Sequence, residues 1–213
     1  MIDANAFIEA SLALDPVPGL AGLKLYTAHP ASRLSRLANA DDDNPPAPYW
    51  AYCWAGGLAL AHHIRAQPKL VEGRRVLDLG AGSGLVGIVA AQAGALVEAA
   101  EIDPHARIAI GLNAAANGVE VSLVEVDLAA GPPAGIELIL AGDVFYNAEV
   151  AGLMWPFLQR CAVAGVEVLI GDPDRKDLPL DRLERVASYA VGDVGDERSR
   201  AERVGSVYRV RFF

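Results

Sequence analysis

Short apolar runs alternate with longer amphipathic or alanine-rich segments along most of this 213-residue chain. Short runs between turn signals are typical of buried strands, and the longer segments are typical of helices. The predicted strands are Val76–Leu79, Ala95–Ile102, Val121–Val126, Ile136–Ala141, Val166–Ile170, Ala187–Val191 and Val207–Phe212. The predicted helices are Leu58–Ile64, Leu85–Ala93, Pro104–Asn117, Val150–Ala162 and Leu180–Val186. This alternation predicts an α/β fold, a doubly wound, mostly parallel seven-stranded sheet with helices on both faces.

The first 48 residues do not follow the alternation. Ile2–Leu14 is predicted to be a short amphipathic helix, and Leu20–Thr27 has the character of a strand. Ala40–Pro48, which is rich in aspartate and proline, is predicted to be a loop. We therefore expect residues 1–48 to form an extension packed on the main domain, which comprises residues 49–213.

Composition and charge narrow the class of protein. The net charge of −9 argues against a nucleic-acid partner, because phosphate binding normally needs a positive face. No apolar run is long enough to span a bilayer, and Met1–Asn5 has no signal-peptide pattern, so a cytoplasmic protein without membrane contact is expected. Cys53 and Cys161 lack Cys or His neighbours at ligand spacing, so no metal site is expected.

The glycine-rich segment after the first predicted strand is the strongest indication of a ligand site. Gly80, Gly82 and Gly84 would let a ligand approach the backbone closely. Gly82-x-Gly84-x-x-Gly87 matches the dinucleotide fingerprint. Read from Asp78, the segment resembles motif I of S-adenosylmethionine-dependent methyltransferases. We favour this second interpretation because an acid at the strand tip would repel a pyrophosphate but suits a ligand with an ammonium and a sulfonium group.

Acidic residues also end the next two predicted strands. Glu101 lies about 20 residues beyond the first glycine, where a carboxylate typically binds ribose hydroxyls. Asp103 is predicted to cap the following helix. Asp127 could accept a hydrogen bond from an adenine amino group, with Ile102 and Leu128 on the two faces of the ring. The alternative for each of these residues is an ordinary position at a strand end.

Two aromatic segments are candidates for substrate contact. Asp143, Phe145 and Tyr146 follow the fourth strand of the sheet, next to the predicted switch point, where α/β proteins bind ligands. The alternative is a capped loop whose rings fill the core. The segment Tyr49–Trp54 could likewise roof a pocket or pack in the core.

Several motifs together resemble methyltransferase family 16, whose members mostly methylate lysine side chains of particular proteins. The motifs are Pro48-x-Trp50, Trp54-x-Gly56-Gly57, Val76–Gly84, Glu101–Asp103, Asn113–Gly118 and Asp143–Tyr146. The chain is most similar to the branch that acts on the electron transfer flavoprotein β-subunit. Gly171-Asp172-Pro173 followed by Arg175 also resembles that branch, although Asp174 stands where a glycine is expected. The resemblance implies S-adenosylmethionine as cofactor and a protein as substrate.

Methyl transfer would require a neutral acceptor nitrogen opposite the sulfur. Aromatic walls would desolvate a lysine and lower its pKa. We therefore hypothesise that Asp143, Phe145 and Tyr146 form the acceptor channel, that Asp143 holds the amine, and that Trp54 covers the methionine end of the cofactor. The alternatives are a small-molecule, nicotinamide-like N-methyltransferase, a dinucleotide-dependent oxidoreductase and a non-catalytic interaction protein.

Overall fold

A seven-stranded sheet forms the centre of the protein, in a computed structural model that describes residues 3–37, 47–192 and 203–211. Its strands are β3 (Arg75–Leu79), β4 (Leu96–Ala100), β5 (Ser122–Val124), β6 (Leu138–Gly142), β7 (Glu167–Asp172), β8 (Leu183–Val191) and β9 (Arg203–Val210). Their order across the sheet is β5-β4-β3-β6-β7-β9-β8. The first five strands in this order are parallel, and β9 pairs antiparallel with both β7 and β8. The predicted, mostly parallel seven-stranded sheet is confirmed.

Strand order reverses between β3 and β6, which are neighbours in the sheet although β4 and β5 lie between them in the chain. At such a switch point the loops after the two central strands diverge and leave a crevice outside the carboxyl ends. The glycine-rich segment follows β3. The segment that contains Asp143, Phe145 and Tyr146 follows β6, which ends at Gly142. Both candidate segments therefore open into the same crevice.

The helices cover both faces of the sheet, and they bury different sides of its strands. The α-helices of the described residues are α1 (Ala4–Ser11), α2 (Ala55–Ala66), α3 (Leu85–Gln92), α4 (Pro104–Ala116) and α5 (Ala148–Val163). Residues of α2 and α3 pack with Val76, Leu138 and Leu140 in one core cluster. Residues of α5 pack with Leu77 and Ile139 in another. This alternation is the two-residue period of a sheet buried on both faces.

The N-terminal segment contains α1 and a hairpin of β1 (Ala13–Pro16) and β2 (Lys24–Thr27). Helix α1 is shorter than predicted, because it begins after the N-cap Asp3 and ends at Ser11. Phe7 and Ile8 of α1 pack with Ala106 and Ala109 of α4 in a third core cluster. Most of the predicted loop 40–48 lies outside the described residues.

The predicted helix Leu180–Val186 is wrong. A short 3-10 turn at Leu180–Arg182 leads directly into β8, which pairs with β9 along its length. Leu180, Leu183 and Val186 have a helix-like spacing, but a register irregularity between Arg185 and Ala187 interrupts the two-residue alternation of the strand. The conformation of residues 183–186 is therefore determined by pairing with β9, which is distant in sequence. Among the helices in the described ranges, none is long and apolar enough to cross a membrane.

Candidate functional site

The glycine turn between β3 and α3 forms the floor of the crevice. Gly80, Gly82 and Gly84 all have left-handed backbones, with φ of +67°, +53° and +79°. Residues other than glycine adopt this conformation at a cost. A Cβ on Gly80 would also lie 3.0 Å from Cγ1 of Val144. The turn thus has the conformation that its glycines predict, and it presents backbone rather than side chains to the crevice.

Asp78 is 1% exposed at the end of β3, beneath the turn. Its Oδ2 accepts a hydrogen bond of 2.8 Å from the N–H of Gly87, in the first turn of α3. A Cβ on Gly87 would lie 2.9 Å from that oxygen, so this glycine allows the helix to approach the strand. Burial raises the pKa of Asp78 to about 7, the Gly87 N–H opposes the shift, and the charge of Glu101 adds to it.

Replacing Asp78 by asparagine is expected to change the pH dependence of stability. The pKa of Asp78 rises from 3.8 in the unfolded reference to about 7 in the folded chain, so only the folded chain stays protonated between these values. The free energy of unfolding should therefore fall as pH rises from about 4 to about 7, by on the order of 1 kcal/mol per pH unit. Asparagine keeps an acceptor for Gly87 but does not titrate. Urea unfolding across this range checks the prediction, and parallel pH profiles for the two chains would contradict it.

Glu101 joins the end of β4 to the glycine turn. Its Oε2 accepts a hydrogen bond of 2.8 Å from the N–H of Gly82. Its Oε1 accepts from the N–H groups of Ile102 and Asp103 at 2.7 and 2.9 Å. The half-buried carboxylate is therefore fixed at the edge of the crevice. Asp103 caps α4 as predicted, since its Oδ1 accepts hydrogen bonds from the N–H groups of His105 and Ala106.

The residues predicted to contact adenine lie at the ends of β4 and β5. The side chain of Ile102, which follows Glu101, is 98% exposed. Asp127 is exposed and its Oδ1 accepts from the N–H of Ala129 at 2.8 Å. Leu128 is half-buried and packs against the core beneath α5. Their contact with adenine stays a prediction.

Three aromatic rings line the cavity above the glycine turn, those of Tyr49, Tyr52 and Trp54, and the ring of Tyr146 packs against Tyr49. We call these four rings the aromatic mouth. The ring of Tyr49 lies 5.8 Å from that of Trp54 and 5.7 Å from that of Tyr146, between ring centroids. Trp54 Nε1 donates to the carbonyl of Tyr49 at 2.8 Å. Tyr49 and Tyr146 are about half exposed. The two aromatic segments, far apart in sequence, thus meet at one place.

Phe145 does not belong to this mouth, so its predicted role in the acceptor channel is wrong. Its side chain is fully buried and packs with Phe157 in the core cluster beneath α5. Asp143, two residues before Phe145, has a left-handed φ of +60°, and the turn there directs Phe145 inward while Tyr146 stays at the surface. Trp50 is likewise a core residue, whereas Trp54 lines the cavity, and its contact with the methionine end of the cofactor stays a prediction.

Asp143 is the centre of a charged network that connects three elements. Its Oδ2 accepts from the N–H of Gly57 in α2 at 2.6 Å, and its Oδ1 forms an ion pair of 2.6 Å with Nη1 of Arg175. The same Nη1 lies 3.1 Å from Oδ2 of Asp172, which is fully buried at the end of β7. Burial raises the pKa of Asp143, and Arg175 and the Gly57 N–H oppose the shift.

This network depends on a close approach between α2 and the sheet. A Cβ on Gly56 would lie 2.1 Å from the carbonyl oxygen of Gly171, and a Cβ on Gly171 would lie equally close to Gly56 O. A Cβ on Gly205 in β9 would lie 2.4 Å from the carbonyl oxygen of Ala55. Gly56 and Gly171, which belong to the motifs described from the sequence, therefore have a packing role that the sequence did not predict. The ion pair of Arg175 with Asp143 was not predicted from the sequence either.

Asp174 occupies a backbone conformation that explains why a glycine is expected there. Its φ is +65°. Its carboxylate accepts hydrogen bonds from the hydroxyl of Tyr208 and from Nη2 of Arg185. These contacts hold the loop that carries Arg175, and they compensate for the cost of a left-handed residue other than glycine.

The closed part of the crevice is a cavity of about 50 Å³ lined by the glycine turn, by Asp143 and by three rings of the aromatic mouth, with Tyr146 outside it. A larger, shallow groove of about 490 Å³ lies between α5 and the loop at Gly131. None of the predicted site residues lines that groove, so the small cavity is the better candidate. Within the residues that the structure describes, no three potential metal ligands lie together.

Comparison with known proteins gives a family and several relatives. A family model described as lysine methyltransferase matches residues 51–186. The electron transfer flavoprotein beta subunit lysine methyltransferase of Danio rerio is 38% identical, with 77% of this chain and 66% of the relative covered. The human protein of that name is 37% identical, with 68% and 58% covered. The chain thus spans two thirds or less of the length of these curated relatives.

Solved structures resemble the protein in fold. The tRNA (uracil-54, C5)-methyltransferase of Pyrococcus abyssi, in complex with S-adenosyl-L-homocysteine, has a TM-score of 0.52 and 18% identity, with 71% of this chain and 38% of that chain covered. Magnesium protoporphyrin IX methyltransferase from Synechocystis, with bound SAM, has a TM-score of 0.51 and 17% identity, with 73% and 81% covered. At this level of identity the likeness concerns the fold alone.

Proposed function

The chain belongs to the lysine methyltransferase family, and from this premise we propose that it transfers methyl groups from S-adenosylmethionine to lysine side chains of a protein. The observation that carries the proposal is the position of Asp143, which lines the cavity between the glycine turn and the aromatic mouth. A donor held over the turn and a lysine entering beside Tyr49 and Tyr146 would meet at this carboxylate.

The residues around the turn fit S-adenosylmethionine. Glycines in place of larger residues leave the floor open, and Glu101 offers its carboxylate to the ribose hydroxyls at the edge of the crevice. Ile102 offers an exposed apolar surface to the adenine ring, with Leu128 and Asp127 at the next strand end. Asp78 places an acid beneath the cationic end of the donor.

The size of the cavity divides the donor between two environments. A volume of about 50 Å³ is well below the several hundred Å³ of a typical ligand pocket. The cavity therefore cannot hold the whole donor, and we assign to it the methionine end, beneath Trp54. The adenosine part lies along the open edge, beside Glu101 and Ile102.

The aromatic mouth and the charges around it suit a lysine acceptor. A free lysine has a pKa of about 10.4, so it must lose a proton before it can attack. Half-buried rings at the mouth exclude water from the ammonium group and lower this pKa. Burial raises the pKa of Tyr146, and the nearby Tyr49, Glu101 and Glu149 raise it further. The carboxylates of Glu101 and Glu149 attract the cationic side chain to the entrance and favour its charged form, so the loss of its proton depends on desolvation by the rings.

The bond changes in the reaction are simple. S-adenosylmethionine supplies an electrophilic methyl group on a sulfonium. The acceptor amine releases its proton to solvent, and its lone pair forms the new N–C bond as the C–S bond breaks. Asp143 orients the amine for this in-line attack, while its network with Gly57 and Arg175 keeps the carboxylate in place.

We further propose that the acceptor is the β-subunit of electron transfer flavoprotein. Support comes from the names of the relatives that are 37–40% identical to this chain. The chain covers 66% or less of those relatives, so the substrate assignment rests on the shared portion alone.

Incubating the purified chain with methyl-labelled S-adenosylmethionine and purified β-subunit is expected to label the protein, with mass spectrometry placing the label on lysine. Glu101→Ala should reduce labelling by about tenfold or more, because a charge-assisted hydrogen bond to the ribose is lost. Glu184→Ala, an exposed glutamate on β8, is the matched control and should leave labelling unchanged.

Three results would contradict the proposal in different ways. Label found only in a metabolite fraction would indicate the small-molecule N-methyltransferase. Thermal stabilisation by a nicotinamide dinucleotide but not by S-adenosylmethionine would indicate the oxidoreductase. Binding of neither ligand would remove the enzymatic assignment altogether.

A further inference from the structure

The Asn113–Gly118 motif has no part in the proposed site, yet its first asparagine reaches the glycine turn. The side chain of Asn113 is fully buried on α4. Its Nδ2 donates to the carbonyl of Ser83, between Gly82 and Gly84, at 2.8 Å. Its Oδ1 accepts from the N–H of Tyr26 in β2 at 2.8 Å. One amide therefore bonds simultaneously to the N-terminal hairpin and to the floor of the cavity.

The second asparagine holds the same hairpin without touching the turn. Asn117 Oδ1 accepts from the N–H of Lys24 at 3.0 Å, and its Nδ2 donates to the carbonyl of Lys24 at 2.6 Å. Residues four apart on a helix lie about 6 Å apart, and residues two apart on a strand lie about 6.8 Å apart. Asn113 and Asn117 thus match the spacing of Lys24 and Tyr26 and substitute for a neighbouring strand.

Helix α4 also contacts the turn through an apolar residue. A Cβ on Gly84 would lie 3.3 Å from Cγ1 of Ile110, one turn before Asn113. The Ser83–Gly84 peptide is therefore held by a hydrogen bond from α4, and the Ile110 side chain of the same helix occupies the space that a side chain at position 84 would need. This peptide leads directly into α3, whose first residue, Leu85, lines the cavity.

From these contacts we propose that Asn113 is a positioning residue for the donor, and that it makes the N-terminal hairpin part of the donor site. The inference rests on the proposed function. Asn113 orients the Ser83–Gly84 peptide, and β2 fixes the orientation of Asn113. Coupling of this kind is reciprocal, so donor binding stabilises the docked hairpin in return.

Isothermal titration calorimetry with S-adenosylmethionine and S-adenosylhomocysteine tests the proposal on the full chain. Asn113→Ala should raise the Kd of both ligands about tenfold, because the turn loses its orienting bond. Asn113→Asp keeps the acceptor for Tyr26 but loses the donor to Ser83, so it should weaken binding as well. Asn117→Ala loosens the hairpin through Lys24 alone, and its Kd should stay within about twofold of wild type.

Hydrogen exchange on the wild-type chain provides a readout that needs no variant to fold. Saturating S-adenosylhomocysteine should slow exchange of the Tyr26 amide, which does not line the cavity. Equal Kd values for the Asn113 and Asn117 variants, or unchanged Tyr26 exchange, would overturn this inference while the proposed function stands. A wild-type chain that binds neither ligand would overturn both.

Discussion

Replacing Asp143 by alanine is expected to lower the rate of methyl transfer by about 100-fold, because misplacing reacting groups by about 1 Å costs that much. The carboxylate lines the cavity and also joins α2 to the loop after β7 through Gly57 and Arg175. Its loss removes the group that orients the acceptor and leaves Arg175 with Asp172 alone. The donor contacts at Glu101 are untouched, so the Kd for S-adenosylmethionine should change little.

Two further variants separate the roles of this carboxylate. Asp143→Asn keeps an acceptor for the Gly57 N–H but removes the charge and the acceptor for Arg175, so a large fall in kcat would indicate that the charged carboxylate with its ion pair is required. Asp181→Ala removes an exposed aspartate that pairs with Arg182 at 3.1 Å, and it should leave transfer unchanged. Transfer at the wild-type rate by Asp143→Ala would refute the assignment of Asp143.

Replacing Gly56 by alanine is expected to give the largest loss of stability. The added Cβ would lie 2.1 Å from the carbonyl oxygen of Gly171, and neither backbone can move aside without separating α2 from β7. Overpacking of this kind costs about 3 kcal/mol, which corresponds to a fall in Tm of roughly 10 °C for a chain of this length. Thermal unfolding measured by circular dichroism checks this value.

The next residue offers a matched control on the same helix. A Cβ on Gly57 would lie 3.6 Å from the Leu85 side chain, an ordinary contact. Alanine also has the higher helix propensity, so Gly57→Ala should keep or slightly raise the Tm. Equal Tm values for the two variants would show that the close approach at Gly56 does not limit packing.

The parts of the structure that follow from local signals could be predicted from the sequence. Alternating apolar runs predicted the sheet, and the glycine spacing predicted the turn, because both reflect backbone conformations set within a few residues. Asp103 caps α4 for the same reason. These features also determine where the crevice forms, since the switch point follows from strand order.

The parts that depend on distant partners could not be predicted. Arg175 is 32 residues from Asp143 in sequence, and only the folded sheet brings the pair together. Phe145 and Tyr146 are adjacent aromatic residues, and the turn at Asp143 decides which one faces the core. The 180–186 segment has helix-like spacing but pairs with a strand that follows it in the chain. The sequence did contain one signal of the close packing at α2, the pair Gly56-Gly57 at the start of the helix. Glycine is unfavourable in a helix, so its presence there indicates that a neighbouring element occupies the space of a side chain.

Strand β9 lies inside the sheet, between β7 and β8. The part of the site that holds Asp143 is therefore completed only after β9 has been synthesised. Strands β3, β4 and β6 and the glycine turn emerge from the ribosome well before residues 203–210. Helix α2, which supplies the N–H that binds Asp143, packs through Ala55 on Gly205 of β9. The β3–β6 part of the sheet and the glycine turn can therefore form before β9 is available. The contact between α2 and β9, which supports the helix that binds Asp143, forms only after Gly205 has been synthesised.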